Sequence, residues 1–320
     1  MRERPSLLTG SLIVLLAASG FAILGPVARF AYQEGFDPFS FVAWRSVFGL
    51  PVVLLVIAWR RPRGVGLVNP IRLPRGDSVG LLVAALAGLC LNSVMFFAFG
   101  LASVAIVLLA FYIYPAFVAL VAVALGHERL DGQRVLALGL ALGGMILVVA
   151  GGLSPAAGVT INPLGVGLAL VGAGFQTVYV TLGRGRFASV PPEQATGWIL
   201  LAAAVASAVL ATATGGNMSA PFGGPRAFGL AVLAGVVGAG IPSMLFLIGI
   251  RSIGGTRSGT LMLFEPLVAV VLAAVLLHEG LVPIQAGGGA AILAAALLLQ
   301  RSSPSEELIE PIGVPATERP

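Results

Sequence analysis

Residues Thr256–Glu279 read TRSGTLMLFEPLVAVVLAAVLLHE, and the fold follows from where such a stretch can be accommodated. It is apolar over a length that crosses a bilayer, because about twenty residues at 1.5 Å rise span a hydrocarbon core of ~30 Å. One carboxylate, Glu265, stands near its middle, directly before Pro266. A charge at that depth costs roughly 2.5–3.5 kcal/mol on insertion scales, so the residue must face protein or water, or be held neutral. An earlier stretch, Val107–Glu128, has the same layout. Pro115 and Pro266 precede His127-Glu128 and His278-Glu279 at the same separation, and Tyr114 stands where Glu265 stands.

Working outward, the whole chain has this character. It is 58% hydrophobic and only 10% charged, with a mean hydropathy of +1.02, whereas a soluble domain carries about 25% charged residues. Long apolar runs recur from end to end, and strand-like alternation is absent, so the fold class is an all-α polytopic membrane protein rather than a barrel. The single cysteine, Cys90, excludes an internal disulfide framework.

Ten transmembrane helices are expected, at 7–31, 39–59, 79–99, 104–125, 135–152, 164–183, 194–214, 228–250, 258–277 and 283–300. The first run follows Arg2 and Arg4 but is too long for a signal-peptide core, and reads as a retained helix. The spans divide into a first five-helix repeat over 5–153 and a second over 162–301. The tail, 302–320, has four prolines and four glutamates without apolar periodicity, which predicts a disordered cytoplasmic segment.

Arginine supplies all 18 basic residues. With both termini in the cytoplasm, fifteen fall in inside segments and only Arg226 in an outside loop, while Arg29 and Arg45 lie in or at the ends of spans. This positive-inside bias orients the chain in the cell inner membrane. The net charge of +5 thus reflects topology and contact with the lipid bilayer; no folded basic face for nucleic acid is present.

Pro115–Leu130 and Pro266–Leu281 share six identities in sixteen positions, and the same offset pairs Asn92 with Ser243. Five spans per repeat, an odd number, inverts the second copy. Inverted repeats with a substrate site near the midplane are a common transporter plan. The chain resembles the EamA-type members of the drug/metabolite transporter superfamily over about residues 5–301. The resemblance is carried by the duplicated layout, by Phe41-Val42-Ala43-Trp44-Arg45 in the second span, and by the two Pro…Glu ends. Gly259–Met262, Glu265-Pro266 and Pro283-Ile284-Gln285 make the second half look most like bacterial threonine/homoserine exporters. Histidine in both His-Glu pairs departs from the family's usual glycine. The resemblance implies a ten-helix basket that moves small metabolites, often amino acids, outward.

The candidate substrate-binding residues are Glu265, Arg45, Asn92, Tyr112, Tyr114, Gln176 and Tyr179. Glu265 is either a proton site, a handle for a cationic group, or a structural carboxylate, and intramembrane acids favour the functional readings. Arg45 can bind a substrate carboxylate, but pairing with Glu34 or Asp37 while snorkelling to the outer interface is the preferred assignment. Arg29 reads as an interfacial anchor. Gln176 and Tyr179 share a helical face that Gly172 and Gly183 extend, and Asn92 and Phe96 lie at i,i+4. Polar side chains in lipid can also simply hold helices together. Small-residue spacings at Gly139/Gly143, Gly235/Gly238 and Gly287–Gly289 predict close helix contacts.

No nucleophile–base set, metal-ligand cluster or phosphate loop is visible, so no cofactor or metal is expected and ATP drive by this chain alone is excluded. A secondary carrier working by alternating access, exporting small metabolites such as amino acids, is the leading reading. A membrane-embedded enzyme and a channel or scaffold are its rivals, and cationic drugs or other amphipathic solutes are the alternative cargo. Protons are the candidate coupling ion, and a homodimer is the candidate assembly.

Overall fold

The computed structural model describes residues 7–63, 66–69, 72–102, 104–126, 131–151, 162–277 and 283–301. Both His-Glu pairs and the 302–320 tail lie outside them. The described residues form helices and connecting turns, with no strand. Their surface carries apolar side chains, for example Leu55 (70% exposed), Leu120 (63%) and Leu16 (62%), while Ser40, Arg45, Ser46 and Ser207 are buried. That inside-out distribution fits lipid as the surrounding solvent, and the chain is a multi-pass membrane protein.

Helices α1 (Leu7–Phe21) and α2 (Leu24–Gln33) form one broken rod, followed by α3 (Pro38–Arg60) and α4 (Arg75–Leu101). A second broken rod comprises α5 (Val104–Phe111) and α6 (Tyr114–Ala124), and α7 (Gly132–Gly151) closes the first half. The second half contains α8 (Pro163–Gly185) and α9 (Pro192–Ala213). Next, α10 (Pro225–Gly235) and α11 (Ile241–Ile253) are joined by a π-helical turn, Val236–Gly240. Last come α12 (Gly255–Met262), α13 (Phe264–Leu277) and α14 (Pro283–Arg301). Gly254, at φ +85°, is the single residue between α11 and α12, and that left-handed conformation favours glycine.

Among the described residues, seven stretches are long and apolar enough to cross a membrane, ending with Pro225–Ile253, while α7 and α14 carry shorter apolar stretches, Gly132–Val148 and Ala286–Leu298. The broken rods place their interruptions just before prolines. α5–α6 breaks at Tyr112-Ile113 ahead of Pro115, and α12–α13 breaks at Leu263 ahead of Pro266. Proline lacks the N–H that would continue the helical ladder, so each break falls where the sequence removes a bond.

Packing runs between the halves. Helix α3 lies along α9, α4 along α8, α7 along α14 and α1 along α11. Exchanging the halves carries α1·α11 into α8·α4 and leaves α3·α9 and α7·α14 unchanged. The lesser contacts of α1 with α12 and α13 likewise become those of α8 with α5 and α6. These pairings map onto one another as a two-fold relation between the halves would require, whereas the contacts α6·α12, α7·α13 and α8·α11 have no counterpart of similar size.

Close approach depends on small residues, as expected where lipid tails remove the hydrophobic drive for helices to associate. Gly49 of α3 meets the π turn: a Cβ there would lie 2.9 Å from the Gly235 carbonyl oxygen. Gly144 and Gly288 face each other's carbonyl oxygens across α7 and α14, and Gly238 abuts Leu24. The expected pair Gly139/Gly143 faces open space instead, as does Gly287. Spacing fixes which residues share a helix face but not which face meets a neighbour.

The ends of the bundle are tied by loops. Asp37 caps α3 through Phe39 and Ser40, at 3.0 and 3.1 Å, and accepts the Asn217 N–H at 2.9 Å from the loop before α10. Partial burial pushes the Asp37 carboxyl up, but bonds from Ser40, Asn217 and Phe39 outweigh it and hold the group below its ordinary 3.8. Glu34 pairs with Arg226 at 3.1 Å, and Trp44 donates to the Met218 carbonyl at 2.9 Å. At the opposite end, Arg60 meets Glu193 at 2.9 Å, and the Gln194 side chain holds both the N–H and the C=O of Val68. Arg251 donates to the carbonyls of Gly183, Phe187 and Val190, closing the C-terminal end of α8.

Candidate binding cavity

Two core clusters flank the centre of the bundle. One gathers Tyr112, Tyr114, Tyr179, Phe246 and Leu247; the other gathers Phe41, Met95, Phe96 and Phe99. A cavity of about 220 Å³ is lined by residues of both. All seven sequence-predicted residues border it: Arg45 from α3, Asn92 from α4, Gln176 and Tyr179 from α8, Glu265 from α13, and Tyr112 and Tyr114 at the α5–α6 break.

The helix breaks bring these groups together. Tyr112 lies in the turn and Tyr114 opens α6, and their rings sit 6.0 Å apart with Phe111 against both. Glu265 lies in the first turn of α13, immediately after the matching break. The favourable end of a helix dipole for an anion is its N-terminus, and that is where the carboxylate stands. Tyr112 faces Glu265 and Tyr114 faces Gln176, yet neither tyrosine hydroxyl closes a hydrogen bond of normal geometry. The Tyr112 hydroxyl thus sits beside the carboxyl group and the Tyr114 hydroxyl beside the Gln176 amide.

Arg45 does not take the position expected for it. It is 4% exposed and turns inward, so pairing with Glu34 or Asp37 and snorkelling to the interface are both corrected. Those acids are engaged elsewhere, Glu34 by Arg226 and Asp37 by the α3 cap and Asn217. The Arg45 guanidinium instead donates to Asn92 Oδ1 and lies 5.0 Å from the centroid of the Phe96 ring. Asn92 donates its amide to the Gly88 carbonyl at 2.6 Å, which turns its oxygen toward the arginine. Arg29 is exposed, as an anchor would be.

Gly172 and Gly183 serve packing: a Cβ would lie 3.1 Å from Met95 Sδ at the first and 3.1 Å from Leu247 Cδ1 at the second. Sequence reasoning missed Ser46 and Thr196, which also line the cavity, and the ring wall of Phe21, Phe99, Phe111 and Phe246, while Ser243, the repeat counterpart of Asn92, lines it too. The Thr196 hydroxyl is buried without a partner. A hydroxyl on an apolar helix usually bonds the carbonyl four residues back, as Ser46 does to Val42 at 2.7 Å, so Ser46 and Thr196 give no sequence signal. The Phe rings are indistinguishable in sequence from lipid-facing ones. Among the described residues no cluster of His, Cys, Asp and Glu is arranged to hold a metal.

Residues 8–150 and 163–301 each match the model of the EamA-like transporter family. A search of curated proteins finds no match. Among solved structures, one titled "Crystal structure of protein" is similar over 90% of this chain and 94% of its own, with 25% sequence identity and a TM-score of 0.74. With both halves matched, the chain belongs to the EamA-like transporter family, whose members are membrane transporters.

Proposed function

We propose that this chain is a secondary transporter that exports small metabolites, amino acids foremost, by alternating access across the inner membrane. The observation that carries the reading is the cavity. Polar groups from both halves of an otherwise apolar bundle converge on one space of about 220 Å³, large enough for a small solute. The proposed architecture is ten spans in two inverted five-helix repeats, 5–153 and 162–301, with a cytoplasmic tail at 302–320. Breaks before Pro115 and Pro266, and the π turn before Pro242, supply points about which the halves rock. The likeness of the second half to threonine/homoserine exporters makes small hydroxylated amino acids the first solutes to try.

Purified protein in liposomes loaded with unlabelled solute should accumulate the labelled solute by counterflow, screened over amino acids, amines and organic acids. Counterflow of no solute would remove the transporter reading. Orientation follows the arginine count and is tested separately. With Cys90 replaced, a cysteine at Phe222 should react with an impermeant maleimide from outside intact cells, and one at Leu67 only after permeabilisation. The reverse pattern sinks the assignment of both termini to the cytoplasm.

A further inference from the structure

We propose that Arg45 is an anion pole of the cavity, so that the transported solute is a zwitterion whose carboxylate meets Arg45 and whose ammonium meets Glu265. This rests on the transporter reading above and narrows its substrate class.

Arg45 is a permanently charged fork of five donors, and the described residues give it no carboxylate. Its polar contact is one neutral oxygen, Asn92 Oδ1, its flat face meets the Phe96 ring, and its Nε has no partner. An arginine kept for structure is ordinarily matched to a carboxylate, because a buried charge left unpaired is destabilising. Here the nearby acids are committed elsewhere, and Asn92, fixed by Gly88, positions the guanidinium without neutralising it. A planar guanidinium accepts a carboxylate through two parallel bonds.

Glu265 presents the opposite case. It lines the same cavity beside Tyr112, in the other core cluster, and forms no ion pair with an arginine among the described residues. A guanidinium and a carboxyl group thus border one space without pairing with each other. A simple amine would satisfy Glu265 and leave Arg45 unmatched, and a simple acid would do the reverse. A solute carrying both groups satisfies both, and the Phe21, Phe99 and Phe246 wall receives its apolar part.

The test uses full-length protein in detergent and isothermal titration with three matched sets of probes. These are leucine, 3-methylbutylamine and 4-methylpentanoate; phenylalanine, phenethylamine and 3-phenylpropanoate; and threonine, 1-aminopropan-2-ol and 3-hydroxybutanoate. At least one amino acid should bind, with its amine and acid fragments each roughly 10- to 100-fold weaker, the range expected when a charged hydrogen-bonded contact is lost. Arg45→Gln should weaken the amino acid by a similar factor while leaving the amine unchanged, and Arg45→Lys should recover part of the loss. An amine that binds the wild type as tightly as its parent amino acid overturns the proposal, as does binding of no probe. Equal weakening of amine and amino acid by Arg45→Gln also overturns it. If the variant does not fold, the wild-type ratios decide. A protein that prefers amines yet shows counterflow keeps the transporter reading and loses only the anion pole.

Discussion

Glu265→Gln protein in liposomes is expected to lose uptake driven by a pH gradient, down to the protein-free background, while still exchanging labelled for unlabelled solute. The reason lies in placement. Glu265 is the carboxylate in the first turn of a helix that begins at mid-rod, and it lines the cavity. The other described acids, Glu34, Asp37, Asp77, Asp131 and Glu193, sit at helix ends in ion pairs, caps or hydrogen bonds. A carrier coupled to protons needs a titrating group that communicates with the cavity, and glutamine keeps size and hydrogen bonding but carries no titratable proton. Exchange requires only binding and reorientation. At limiting solute it should weaken roughly 10- to 100-fold, because the ammonium loses its charged partner, and it should be regained at saturating solute, where glutamine still accepts the ammonium's hydrogen bond. Three outcomes separate the roles. Loss of driven uptake alone assigns Glu265 to coupling. Parallel loss of both at saturating solute assigns it to solute binding alone, and a lowered melting temperature with poor expression assigns it to structure. Wild-type driven uptake in the variant removes both functional roles.

Much of this was legible because membrane helices leave few choices. Apolar length marked the chain as a multi-pass helical membrane protein, and the two helix breaks fall within a few residues of the paired prolines, where the missing N–H is written in the sequence. The polar residues of the cavity were legible because polarity is scarce in such a chain: a glutamine, an asparagine or an acid in an apolar run needs a partner. Arg45 was misassigned for a definite reason. Proximity in sequence suggested Glu34 and Asp37, but Asp37 is consumed by the first turn of α3 and Glu34 by Arg226, 192 positions further along the chain. Pairings across that separation leave no local trace. The hydroxyls of Ser46 and Thr196 were invisible for the opposite reason, because on a helix a hydroxyl can be satisfied by its own backbone, whereas the repeat offset from Asn92 marked Ser243.

Helix rotation was likewise beyond the sequence, and it gives the second large expectation. Gly143→Leu should leave the melting temperature of the purified protein nearly unchanged, whereas Gly144→Leu, one position along, should lower it by roughly 5 °C or more. A Cβ on Gly143 has open space around it. One on Gly144 would lie 2.6 Å from the Gly288 carbonyl oxygen, 3.0 Å from Ile292 Cγ1 and 3.1 Å from Ala291 Cβ. The first of these neighbours is backbone, which cannot swing aside, so α7 and α14 must separate. Overpacking of this kind costs about 1–3 kcal/mol or more, and in lipid no hydrophobic drive between helices compensates for lost packing. The site matters to the whole architecture because α7·α14 is one of the two pairings that map onto themselves when the halves are exchanged. The offset of 151 between the repeats carries Gly144 to position 295 and Gly288 back to position 137. Those positions are Ala295 and Ala137, both buried in the same core cluster. The interface is thus built from small residues at both related places, and Ala137→Leu should repeat the Gly144→Leu effect. Equal melting temperatures for the Gly143 and Gly144 variants would mean that α7 does not approach α14 along this face, and the two-fold packing of the halves would have to be redrawn.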